Sequence, residues 1–118
     1  MAFLTKEQML VEMTLKKETV ELATGSVIVS EASAEDYMKA YSSDLSKDEN
    51  GEFSGVKFTS LLAVRSILGE DGKRMFADEE AETLRTSSSA FFTKIVAAIK
   101  RLNGLTEAEA KNSEASPS

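Results

Sequence analysis

The sequence predicts an α+β fold, mostly helical, with four to six short helices and one N-terminal β-hairpin. Two observations carry that prediction. Apolar residues recur at three- and four-residue spacing in several separate stretches, each preceded by a residue suited to capping a helix. From Glu18 to Val29 the period falls to two, the spacing of strands, and Val56-Lys57-Phe58-Thr59 by itself could also pass for a strand start.

At 118 residues, with 42% apolar and 29% charged side chains, the chain has the composition of one folded domain. The expected division is a single globular domain over 1–105, followed by a short helix and flexible polar tail over 106–118. Small polar residues and the single proline leave that tail little apolar area to bury.

Thr5 and Gln8 have the spacing of a capping box, and Leu4 and Met9 that of a hydrophobic staple, so a helix is expected over about 6–14. Its apolar face carries Met9, Leu10 and Met13, whose plain destination is the protein's own core. Val20 and Leu22, then Val27, Ile28 and Val29, predict a hairpin turning at Thr24-Gly25. Two strands alone are marginal in water, so the hairpin must lie on the helices.

Ser33 with Asp36 opens a second helix, expected over 34–45 with Tyr37, Met38, Tyr41 and Leu45 in period. Residues 46–55, SKDENGEFSG, form a charged loop. Asp48, Asn50 and Gly51 match part of a calcium loop, but Ser46 and Lys57 stand where anionic ligands belong, so a solvated loop is expected. Residues 56–68 predict a buried helix ending at Gly69, followed by a tight Asp71-Gly72 turn. Asp78 is expected to cap a short acidic helix containing Glu79, Glu80 and Glu82.

The longest and most apolar helix is expected within the stretch 87–105, its three serines supplying the N-cap and Asn103-Gly104 the stop. Phe92, Ile95, Ile99 and Leu102 are assigned to the core. Phe91, turned about 100° from Phe92, is the residue left for a second surface. Leu105 is expected to fold back on the last turn, and Thr106 with Glu109 to form a further capping pair.

The formal charge is −6, with acids exceeding bases 11 to 6 over residues 1–60 and 9 to 8 thereafter. Neither half is basic, which argues against nucleic acid as a partner. The absence of cysteine and histidine removes disulfides, thiolate nucleophiles, histidine acid–base catalysis and most zinc or haem sites. No phosphate loop, nucleophile elbow or dinucleotide fingerprint occurs, so no enzymatic activity and no cofactor are expected. The N-terminus lacks the basic region and apolar run of a signal peptide, and no run is long enough to span a membrane.

Three stretches in order, LKKETVELATGSVIVSEASAED, ILGEDGKRMFADEEAETL and IKRLNGLTEAEAKNSEASPS, resemble the tail assembly chaperones of long-tailed bacteriophages. The resemblance runs from about Leu15 to Ser118. Its most specific parts are the Asp71-Gly72 turn leading to Phe76 and Asp78, and the Leu102-Asn103-Gly104-Leu105 cap followed by Lys111-Asn112-Ser113. Family members often carry an aromatic residue or a further glycine in the hairpin turn; this chain has Ala23-Thr24-Gly25-Ser26.

The resemblance implies a non-enzymatic protein of the host bacterial cytoplasm, absent from the mature virion. Such a protein binds and solubilises the tape measure protein and helps recruit tail tube subunits, and it can form a homo-oligomer. Many such genes also yield a longer frameshifted product, for which KNSEASPS marks the expected junction. Candidate contacts with the client are Met9, Met13 and Phe91. The alternative is a small acidic regulatory or inhibitor protein, a decoy for a DNA-binding partner, which requires the acids of residues 1–60 to gather on one surface.

Overall fold

The computed structural model describes residues 2–104. Five α-helices surround or adjoin a three-stranded antiparallel sheet of order β1-β2-β3. The elements are α1 (Lys6–Glu12), β1 (Lys17–Leu22), β2 (Gly25–Ser30), α2 (Ala34–Ser42), α3 (Gly55–Ser66), β3 (Ile67–Leu68), α4 (Ala81–Arg85) and α5 (Ser89–Leu102). Two 3₁₀ turns, Asp44–Ser46 and Asp78–Glu80, complete them. The mostly helical α+β class and the N-terminal hairpin match expectation. The Leu105 contact, the Thr106–Glu109 pair and the polar tail lie outside the described residues.

The central element is α3, which buries nine of its twelve residues, among them Phe58, Leu61, Leu62, Ala63 and Val64. A helix apolar on nearly every side has to be covered on nearly every side. The sheet, α2, α4 and α5 provide that cover, and their buried side chains Val29, Ala40, Leu84, Ile95 and Ile99 join those of α3 in one core.

The expected helix over 56–68 is two residues too long at its end. Ile67 and Leu68 instead pair with Val29 and Ile28 as β3. The hairpin therefore gains a third strand as well as a helical floor, and the β-branched Ile67 joins the core at 1% exposure. The chain then reverses through Gly69–Lys73, where Gly72 takes φ +80° and the Gly69 amide donates to the Lys73 carbonyl at 2.8 Å.

The hairpin turn sits one residue earlier than expected. Leu22 pairs with Gly25, leaving Ala23 and Thr24 as the loop, and none of these residues has positive φ. Val20, Leu22, Val27 and Val29 share one face, on which α5 lies. Lys94 Nζ donates to the Glu21 carbonyl at 3.2 Å, and Arg101 Nη2 donates to Glu18 at 2.7 Å. Helix α5 thus runs antiparallel to β1.

Both ends of α5 are specified locally. The Ser88 hydroxyl accepts from the Phe91 amide. At the other end Asn103 Nδ2 donates to the Ile99 carbonyl at 2.8 Å, while its Oδ1 accepts from the Ala32 amide at 3.1 Å. Gly104 follows at φ +68°. The asparagine therefore closes the helix and ties it to the segment between β2 and α2. Ile95 and Ile99 are fully buried as assigned, but Phe92 and Leu102 are only partly so, and Val96 and Ala98 take core positions beside them.

The loop after α2 is pinned by aromatic contacts. Tyr41 stacks on Phe53 with ring centroids 4.6 Å apart, and Phe58 meets Tyr37 edge-on at 5.2 Å. Helix α2 ends at Ser42, short of the expected Leu45, because Ser46 turns inward and its hydroxyl donates to the Ala40 carbonyl at 2.6 Å. The Asp48 carboxylate accepts from the Asn50 and Glu52 amides, so the loop's own backbone uses it.

Asp78 does not cap the acidic helix. Ala77 holds that position, its amide donating to Glu80 Oε1 at 2.9 Å. Asp78 instead receives a two-pronged bond from Arg65, Nε at 3.2 Å and Nη2 at 2.9 Å, and a third from Arg74 at 2.6 Å. Arg65 also faces Asp36 at 3.5 Å, so one guanidinium joins α2, α3 and the turn before α4. Burial pushes the Asp78 carboxyl up, but the hydrogen bonds and charges of Arg65 and Arg74 outweigh it and hold the group below its ordinary value of 3.8.

A carboxyl depressed in the folded state adds stability above its ordinary pKa and loses it as pH falls through the folded value. Asp78→Ala should cost about 2 kcal/mol at neutral pH, read from the urea midpoint. The gap between variant and wild type should shrink as pH falls below 3.8 and through the lower folded value, and close once the carboxyl is protonated in both states. A gap unchanged in acid would show that the charge of Asp78 is not what holds the junction.

Candidate functional site

Helix α1 is well formed yet buries none of its residues. Its start follows the expected capping box: Thr5 Oγ1 accepts from the Gln8 amide at 3.2 Å, and Gln8 Oε1 accepts from the Thr5 amide at 2.8 Å. Its end comes at Glu12, where Thr14 turns back and its hydroxyl donates to the Leu10 carbonyl. Its ends are set by local hydrogen bonds, and none of its residues is buried in the core.

The apolar face has not gone where an amphipathic stripe ordinarily goes. Met9, Leu10 and Met13 lie within about 100° of one another around the helix axis. They are 47, 53 and 68% exposed, which corrects the expectation that they fill the core. Phe3 is 94% exposed, and Leu4, Val11 and Leu15 extend the same unpacked stretch. The Leu4 and Met9 pair, expected as a staple, stays half in solvent. Taking roughly 150–200 Å² for a fully exposed large apolar side chain, the arm over 3–15 presents on the order of 700 Å². The largest apolar patch on an ordinary monomer is about 300–600 Å².

The arm joins the body at a fixed point. The Lys16 amide donates to Glu31 Oε1 at 3.0 Å, and the Glu31 amide donates to the Lys16 carbonyl at 2.7 Å. Glu31 neighbours Ala32, which bonds Asn103, so the arm leaves the body beside the C-terminal end of α5.

A second apolar feature lies at the opposite end of α5. Phe91, half-buried against the core, is the wall common to three hollows. One, of about 140 Å³, opens between α3, α4 and Phe76. Another, of about 280 Å³, lies against Leu22, Val27, Met75 and Phe76. The third, of about 480 Å³, runs between the hairpin turn and Ala90. The three share Phe91 and have mainly apolar linings, two of them against the hairpin turn, and are together called the Phe91 groove. Phe92 lines none of them, so the two neighbouring phenylalanines do different work.

The candidates Met9 and Met13 therefore lie together on the arm, and Phe91 lies apart from them in the groove. Phe3, Leu4 and Val11 on the arm, and Met75 and Phe76 in the groove, were not anticipated. The apolar pair Phe3-Leu4 immediately before a capped helix is the signal that could have disclosed the arm's length. The pairing of Met75 and Phe76 with the hairpin turn depends on β3 and had no local signal.

A separate polar hollow of about 200 Å³ is lined by Asp44, Lys47, Lys57, Glu82 and Arg85 among others. Lys57 Nζ donates to the Lys47 carbonyl at 3.1 Å and Lys47 Nζ to Asp44 at 3.3 Å, while Arg85 Nη1 is buried without an acceptor among the described residues. Carboxylates and cations both line it, so its charge favours no single class of ligand. Among the described residues no group of three or more carboxylates is placed to hold a metal ion, and no helix is long and apolar enough to cross a membrane.

Removal of residues 2–13 should leave the fold intact, with the thermal midpoint within about 3 °C of the full chain. By contrast Ile95→Ala, at a fully buried site, should cost about 3 kcal/mol. Circular dichroism melts of both variants measure this, and unfolding on loss of the arm would show that α1 belongs to the core. Comparison with protein-family models, with curated proteins and with solved structures gives no match for this chain.

Proposed function

We propose that this protein is a phage tail assembly chaperone, which binds and solubilises the tape measure protein and helps recruit tail tube subunits during tail morphogenesis. One observation carries the reading: a fully capped amphipathic helix whose Met9, Leu10 and Met13 face solvent. A long helical client exposes apolar stripes before assembly, and an apolar helix can cover such a stripe by side-to-side packing. Thioether side chains adapt to surfaces of differing shape, which suits a client presenting many similar but unequal sites. The net charge of −6 keeps such a protein dispersed while its apolar arm is free.

The role is non-enzymatic and needs no cofactor, nucleic acid or membrane. It belongs to the host bacterial cytoplasm, before the tail is complete and without a place in the mature virion. The resemblance described from the sequence is the specific ground for naming the tape measure protein as client.

The alternative, an acidic decoy for a DNA-binding protein, is less well supported. Glu18, Glu35, Asp36 and Asp44 of the acidic first half each face a cation of this same chain. Those pairs spend charge that a decoy would have to present.

Co-expression with the tape measure protein encoded beside it should keep that protein soluble and give a complex on size exclusion. Met9→Glu with Met13→Glu should weaken the complex at least about tenfold, while raising salt from about 0.1 to 0.5 M should change it little. Absence of a complex would overturn the chaperone reading. A complex lost in salt but indifferent to the two glutamates would favour the decoy.

A further inference from the structure

We propose that the arm over 3–15 docks into the Phe91 groove of a second copy of this chain. Each molecule carries one unpacked apolar arm and one apolar groove, and the two lie at opposite ends of α5, about 20 Å apart along its axis. The arm's exit is held by the paired hydrogen bonds between Lys16 and Glu31. Only Met13, Thr14 and Leu15 separate that anchor from the end of α1, and Thr14 is itself bonded back to Leu10 and Val11. The arm is thus anchored at the C-terminal end of α5, while the groove lies at the other end.

The extent of the surfaces agrees with such an occupant. The arm's roughly 700 Å² approaches the ~800 Å² that each partner contributes to an ordinary specific interface. The groove is walled by Leu22, Met75, Phe76, Leu84 and Phe91, so apolar side chains on the arm meet apolar walls. The contact is heterologous, one patch against a different patch, so pairs arise by reciprocal exchange of arms and longer assemblies by one-way docking. The inference goes beyond the client reading and needs no client.

The chain has no cysteine, so introduced thiols report unambiguously. Met9→Cys protein is mixed with Thr83→Cys protein, both full-length, under mild oxidation, and the linked peptides are identified by mass spectrometry. Thr83 is exposed on α4 at the mouth of the groove. The expected result is a 9–83 link between chains in about tenfold excess over 9–9 and 83–83 links. Phe76→Glu in the Thr83→Cys partner should abolish that excess. Dominant 9–9 links would overturn the proposal in favour of arm-to-arm pairing, and absence of any link at concentrations on the order of 100 µM would also overturn it. A double Met9→Cys, Thr83→Cys chain that closes on itself at about 1 µM would assign the groove to its own arm and equally refute it. Failure of client binding would leave these outcomes unchanged.

Discussion

The structure depends on one constraint, that α3 is apolar on almost every side and sits in the middle of a chain of modest size. With Leu61, Leu62 and Ala63 at 0% exposure, its surface has to be covered by whatever the rest of the chain provides. Helix α2 takes one side through the Tyr37 and Phe58 contact, α4 and the Arg65–Asp78 junction another, and α5 with the sheet the remainder. Once those elements are in place the core is closed. Helix α1 arrives first in the chain and finds no face of α3 left to cover, so its own apolar residues stay outside.

What could be read from the sequence follows the range of the interaction involved. Caps at Thr5, Ser33, Ser88 and Asn103 were legible because each bonds within about four residues of itself. The hairpin was legible from its alternation, although its loop fell at Ala23-Thr24, where no glycine is required. Ile67-Leu68 was misread as helix because its strand character comes from Val29 and Ile28, far away in sequence. Asp78 was misread as a cap because its partner Arg65 lies thirteen residues back and nothing local signals the pair. The stripe of α1 was read correctly as a stripe and wrongly as core, since periodicity marks an apolar face without stating what covers it. Phe91 was singled out by its angle from Phe92, and the groove it lines comes from the distant hairpin turn.

Several charged side chains of the described residues hold the body together. Glu18 is spent on Arg101, Asp36 and Asp78 on Arg65, Asp48 on its own loop, and Glu31 on the base of the arm. Apolar surface is left uncovered on the arm and in the groove, among other places. A protein so built is suited to holding apolar partners, and both proposals above draw on that division.

The most direct test of the account is hydrogen exchange on the full chain over a dilution series. The body closes without α1, for which cover by a partner is proposed. Amides of α3 and α5 should show the same strong protection at every concentration, whereas those of α1 should approach unprotected rates on dilution and slow as concentration rises. Strong protection of α1 that does not change on dilution would mean that the arm is packed within its own molecule, and would contradict the account.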